Sequence, residues 1–341
     1  MIKAHYKIIP ISLIIFLLVP FFTSAQLAQE LENILVLSVN PTYPGPNERV
    51  TISAESFSID LNSSTVSWFI NGVLEQQSIG GKVFQFTTRD LGSSTDIDIV
   101  AETSDGSLNA EQITIRPTDA DLIWQGNTLT HPLYKGRHIP SIGSTINIEA
   151  MPHFLNDAGH KLGTDELVYS WRIDGKALPN ASGRGKNTIT VSQTKPVKAI
   201  LAEVEIESSD KLLSRKERLS IPVQDSELLI YENNPLLGVL FNKAINGLYS
   251  LVGQETKFLA YPFFMSTVDR NASYINYSWR LNNNPIVLGE DKGSITVGHA
   301  GGESGKAEIT VSAQNNKDIF QKSDSGFTIE FGTNTSSGFG F

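Results

Sequence analysis

Tyr169-Ser170-Trp171-Arg172-Ile173-Asp174-Gly175 returns twice in this chain, as Ser67-Trp68-Phe69-Ile70-Asn71-Gly72 and as Tyr277-Ser278-Trp279-Arg280-Leu281-Asn282-Asn283. Alternation about the tryptophan turns its ring to one face of a strand. Asn-Gly, Asp-Gly or Asn-Asn then accepts the positive φ angles of a two-residue hairpin. The tryptophans stand at 68, 171 and 279, spacings of 103 and 108 residues, which is one small domain per period.

The flanks repeat in the same order. A β-rich run precedes each tryptophan at 50–54, 145–150 and 256–261, and others follow at 83–87, 188–191 and 294–297. Further runs lie at 97–101, 202–206 and 307–311, and closing ones at 113–115, 219–221 and 327–329. The chain therefore reads as all-β, with sandwiches over 33–117, 118–223 and 224–331 and a flexible tail over 332–341. It contains no cysteine, so no disulfide joins the sheets, and Trp68, Trp171 and Trp279 are the expected central packing residues.

The motif Tyr-Ser-Trp-Arg at 169–172 and 277–280 resembles the tryptophan strand of bacterial immunoglobulin-like and PKD-type domains of secreted or cell-surface proteins. It departs from the PKD pattern in lacking a Gly-Asp-Gly ending, which leaves immunoglobulin-like as the closer description. The resemblance covers nearly all of the chain after the first 25 residues. It implies a sandwich fold and no particular activity, since such modules are reused for many roles.

Copies two and three open with a leader that copy one lacks in this reading: 119–124 before Pro132, and 225–231 before Pro235. In that alignment Trp124 has Tyr231 as its partner and serves packing. Leu237, Leu240, Phe241, Ala244, Ile245 and Leu248 have i, i+3, i+4 spacing, which predicts a short amphipathic helix within 235–251 covering the seam between the last two sandwiches. Pro152-His153-Phe154 and Pro262-Phe263-Phe264 follow the first core strand of their copies and suggest a bulge or strand switch.

At the amino terminus, Lys3 and Lys7 precede an apolar run to Phe22, and Thr23-Ser24-Ala25 supplies small residues before Gln26. That is the layout of a secretory signal peptide over 1–25; uncleaved, the segment would be the chain's contact with a membrane. Export without cysteine points to a bacterial envelope or secreted protein. The formal net charge of -9 repels phosphate backbones, so nucleic acid is excluded as a partner and a protein or glycan at the cell surface is expected.

No zinc-protease helix, phosphate loop, dinucleotide fingerprint or nucleophile elbow is present, so no catalytic residue and no cofactor is assigned. The one metal candidate is Ca²⁺ at the seams, where Asp119 and Asp121 follow Pro117 and Asp225 and Glu227 follow Pro222. Two carboxylates per seam fall short of the six to eight oxygens that ion takes. An exposed aromatic row on one sheet would mark a polysaccharide-binding module; polar sheets with rigid seams would mark a structural spacer or adhesion module.

Overall fold

The computed structural model describes residues 35–192, 194–299 and 304–332. The signal-peptide reading of 1–25 and the tail from 333 onward lie outside them. Among the described residues there is no α-helix, only 3-10 turns at Thr164–Glu166 and Pro179–Ala181, and no helix is long and apolar enough to cross a membrane.

The first sandwich comprises β1 (Val36–Asn40), β2 (Arg49–Glu55), β3 (Thr65–Ile70), β4 (Val73–Ile79), β5 (Val83–Thr87), β6 (Thr95–Glu102) and β7 (Leu108–Ile115). The second is β8 (Ala120–Gly126), β9 (Thr145–Pro152), β10 (Leu167–Ile173), β11 (Lys176–Ala177), β12 (Gly183–Arg184), β13 (Thr188–Ser192), β14 (Ala199–Ser208) and β15 (Ser214–Pro222). The third is β16 (Glu227–Asn234), β17 (Gly238–Val239), β18 (Gly247–Ser250), β19 (Glu255–Phe263), β20 (Ile275–Leu281), β21 (Asn284–Pro285), β22 (Ser294–Gly298), β23 (Gly305–Asn315) and β24 (Lys322–Phe331).

Each unit packs a sheet of order β1-β2-β5 against one of order β4-β3-β6-β7, or their counterparts, which is an immunoglobulin-like sandwich. Each has its own apolar core. Trp68, Trp171 and Trp279 lie in these cores at 0%, 1% and 1% exposure, opposite Ile99, Val204 and Val311.

One hydrogen bond recurs across the gap between the sheets. The indole Nε1 of Trp68 donates to Gly81 O (2.7 Å), that of Trp171 to Lys186 O (2.8 Å), and that of Trp279 to Lys292 O (3.2 Å). Each acceptor stands two residues before the strand that enters the opposite sheet. The ring thus fills the core while its one polar atom pins the facing sheet, a satisfied contact where many related folds use a disulfide.

The hairpin after each tryptophan explains its Asn or Asp. Asn71, Asp174 and Asn282 have φ of 49°, 49° and 44°, a region their short side chains tolerate. Their Oδ1 atoms accept from the main-chain N–H of Asp96 (3.0 Å), Leu201 (2.9 Å) and Glu308 (2.8 Å). The same side chain that permits the turn therefore extends the ladder to the next strand.

Four expectations are corrected. Copy one does possess the leader strand: β1 pairs with β2 as β8 pairs with β9 and β16 with β19. What copy one lacks is the long insertion after that strand. Register also separates Trp124 from Tyr231. Leu122 faces Ala150 and Ile230 faces Ala260, so Tyr231 is the counterpart of Ile123 and points away from the core of the third sandwich, whereas Trp124 flanks the core of the second. A one-residue misalignment suffices, because strand faces alternate with period two.

Residues 235–251 form β17, a turn and β18 rather than a helix. Asn234 Oδ1 caps Leu236 N and Leu237 N, but Gly238 follows with φ +74° and ends the turn, and β18 pairs in parallel with β24. The six apolar residues share no face: Leu237 is 75% exposed, Leu248 57% and Ile245 7%. Finally, no bulge accompanies Pro152 or Pro262, since β8–β9 and β16–β19 stay in unbroken register. Both prolines lie beyond the last rungs to β13 and β22, at Glu149 and Leu259, where a missing N–H costs nothing.

The third sandwich holds a partly buried ion pair, Arg270 Nη2 to Asp291 Oδ2 at 2.6 Å, with the guanidinium 5.4 Å from the Tyr261 ring centre. Burial pushes the Asp291 carboxyl up, yet the Arg270 bond and charge outweigh it and leave the group below its ordinary value. A depressed acid stabilises the fold above its unfolded pKa of about 3.9, and that contribution is lost as pH falls through the lower folded value. Acid titration of the melting temperature should show the third sandwich losing stability from about pH 4 downward. Asp291→Asn should remove that slope; an unchanged slope would refute the assignment.

Candidate functional site

Among the described residues, polar side chains join the sandwiches where they meet. Thr118, 1% exposed, donates from N to Pro44 O (3.1 Å) and from Oγ1 to Ser214 O (2.6 Å), tying the first sandwich to the second. Arg215 Nη1 donates to Tyr43 O (3.0 Å) and Thr118 O (3.3 Å), and its Nε pairs with Glu217 at 2.6 Å. Tyr43 Oη donates to Glu205 (2.9 Å), and burial with that carboxylate raises the phenol pKa. One guanidinium therefore spans main-chain carbonyls that belong to both sides.

The second seam is built by the insertion after β8. Leu129 N donates to Met265 O and Phe264 N to Leu129 O, both at 2.9 Å, a small backbone rung between sandwiches. Phe264 adopts φ +62° to make it, a strained angle for a non-glycine residue. Gly143, at φ +84°, runs so close to Asp318 that a Cβ would overlap its carboxylate. The His131 ring packs 5.4 Å from Phe241, 5.5 Å from Phe263 and 5.9 Å from Tyr231, an aromatic layer over the outer face of β16–β19.

At the centre lies Gln321, 0% exposed. Its Nε2 donates to Ser141 Oγ (3.1 Å) and Ile142 O (3.0 Å) of the second sandwich and to Ser266 Oγ (2.8 Å) of the third. Its Oε1 accepts from Ser266 N and from Asn315 Nδ2, both at 2.8 Å. Nothing in the sequence pointed to it.

The four acids singled out at the seams are placed as follows. Asp119 stands 3.9 Å from the Arg215 guanidinium, and Asp121 3.1 Å from His153 Nε2. Asp225 and Glu227 are exposed. Among the described residues, no group of three or more His, Asp or Glu side chains is arranged to hold a metal ion. Trp124 borders the second core, with the Arg137 guanidinium 5.7 Å from its ring centre.

Among the described residues no row of exposed aromatic rings lines a sheet. Among the described residues the exposed ones are Phe57 (96%), Phe320 (64%) and Tyr134 (49%), each in a loop of a different sandwich. The outer face of β14–β15 is charged instead, with Glu203 opposite Arg218 at 2.6 Å and Glu205 opposite Lys216.

No protein-family model and no curated protein matches the chain. Among solved structures, fibronectin(III)-like modules of CbhA from Clostridium thermocellum align with a TM-score of 0.28 and 14% identity over 55% of this chain and 94% of theirs. Three N-terminal domains of the outer capsid protein Hoc of bacteriophage RB49 align at 0.26 and 12%, over 87% and 99%. The chain is also similar to the Bacteroides ovatus protein SGBP-B, solved with a mixed-linkage heptasaccharide, at 0.23 and 11%, over 85% and 65%.

Proposed function

We propose that this is a non-catalytic exported protein whose three sandwiches form a stiff spacer or adhesion-type module, secreted or held at the cell envelope. The observation that carries the reading is Gln321: a fully buried amide donates from Nε2 to Ser141 Oγ and Ile142 O of the neighbouring sandwich as well as to Ser266 Oγ of its own, so the two units are joined by a specific contact and not by a bare linker. The polar outer sheets fit a body that meets partners at few points, and the signal-like first 25 residues support export.

His131 and His138 spend ring nitrogens on main-chain carbonyls and His153 on Asp121, which agrees with a structural role. The partner in this reading is a glycan or protein at a cell surface, with membrane contact confined to the amino-terminal segment. Fractionation with amino-terminal sequencing should find a product beginning at Gln26 outside the cytoplasm, and small-angle scattering of it should fit one fixed arrangement of sandwiches. A cytoplasmic product retaining Met1, or scattering that requires freely pivoting units, would refute the proposal.

A further inference from the structure

The second and third sandwiches receive their predecessor at the end that carries the loop after their second strand. There Leu155 lies against Gly92, Asp157 pairs with Arg116 at 3.5 Å, and Phe264 and Met265 bond Leu129 of the insertion after β8. The aromatic residue of that loop is buried in both cases, Phe154 fully and in the core of its own sandwich, Phe264 in part. In the first sandwich the same end has no sandwich before it among the described residues. Its loop carries Phe57 three residues after Ala54, one position short of the place that Phe154 and Phe264 hold after Ala150 and Ala260. Phe57 is 96% exposed.

Phe57 borders a groove of about 470 Å³, within the size range of small-ligand sites. Ile59 and the 4%-exposed Leu61 contribute its apolar lining, while Glu55, Asn62 and Lys82 supply polar atoms. The loop is held by Asp60, whose carboxylate accepts from Asn62 N (3.0 Å), Asn62 Nδ2 (3.0 Å) and Ser63 Oγ (2.9 Å). Glu55 offers an acceptor at the groove and Lys82, whose charge also acts on Asp60, a donor.

We infer that this groove is a contact site for a neutral polysaccharide, with Phe57 as the platform on which a sugar ring stacks. An aromatic face answers the C–H face of a pyranose, and one acid, one base and one amide around it can pair with hydroxyl groups without selecting a charge. The net charge of -9 disfavours polyanions and also a second copy of the chain. The inference rests on the adhesion reading only for its choice of ligand. Binding is read on the purified chain, so its failure leaves the spacer role and the export test untouched.

The test is retention of the purified chain on immobilised cellulose, xylan, mannan and β-1,3-glucan, with alginate as the anionic control, followed by titration with the hexasaccharide of whichever is bound. Phe57→Ala should weaken that binding about tenfold or more at unchanged melting temperature, because the ring makes little contact with the fold. Phe320→Ala, which removes another exposed ring, should leave it unchanged. Retention on none of the neutral polymers, preference for alginate, or equal binding by Phe57→Ala would overturn the inference. So would a concentration-dependent dimer that Phe57→Ala abolishes.

Discussion

Trp171→Ala should unfold the second sandwich at temperatures where the other two remain folded. The ring is 1% exposed in the second core, and truncating a buried tryptophan costs about 3–5 kcal/mol. The substitution also strands Lys186 O, which now accepts from the indole at 2.8 Å, and an orphaned buried acceptor adds about 1–3 kcal/mol. A sum of that size matches the whole stability of many single domains, about 5–15 kcal/mol. Calorimetry should show one transition lowered by roughly 20 °C or lost, since 1 kcal/mol moves a domain of this length about 4–8 °C.

Trp171→Phe separates the two contributions. It keeps most of the apolar volume and loses only the donor, so its transition should lie between those of the wild type and the alanine variant. A drop of less than about 5 °C for Trp171→Ala would contradict the central packing role. Trp68 and Trp279 make the same cross-sheet bond, at 2.7 and 3.2 Å, so equivalent substitutions should act on the first and third sandwiches in turn.

What the sequence made legible was whatever is local and repeated. The hexapeptide specifies a strand, an inward ring and a left-handed turn within six residues, and all three signals agree in every copy. β1 escaped because it alternates as a half-exposed edge and carries none of the acids that mark the leaders of the other copies. The apolar spacing of 235–251 mimicked a helix because those residues serve different surfaces, Ile245 the core and Phe241 the aromatic layer around His131. Periodicity records which residues are apolar, and here the chain crosses from one sheet to the other between them.

The seams were illegible for a different reason. Acids were sought there because calcium would need them, yet the junctions are held by Arg215, Thr118 and Gln321. A buried amide owes its meaning to partners far away in sequence: Ser141 and Ile142 lie 180 and 179 positions from Gln321. No spacing rule reaches across that distance, and an isolated Gln between Phe320 and Lys322 reads as an ordinary surface loop.

Gln321→Glu should open the second seam at neutral pH while sparing the third core. The carboxylate has nearly the shape of the amide and still accepts from Ser266 N and Asn315 Nδ2, and the Ser266 hydroxyl, which now accepts from Nε2, can turn to donate to the new oxygen, so the contacts inside the third sandwich survive. It has no hydrogen to offer Ser141 Oγ or Ile142 O, and it brings an uncompensated charge to a fully buried position facing a carbonyl. The third sandwich should melt close to its normal temperature, while the amides of Leu129 and Phe264, which bridge the two units, exchange with solvent several times faster. Acid should reverse the effect, because the introduced carboxyl, once protonated, regains one donor and loses the charge. Gln321→Leu, which has neither donor nor acceptor at any pH, should show faster exchange that acid does not reverse. Spin-label distances between the second and third sandwiches would decide it: a distribution as narrow in Gln321→Glu as in the wild type at neutral pH would show that the buried amide does not hold the joint.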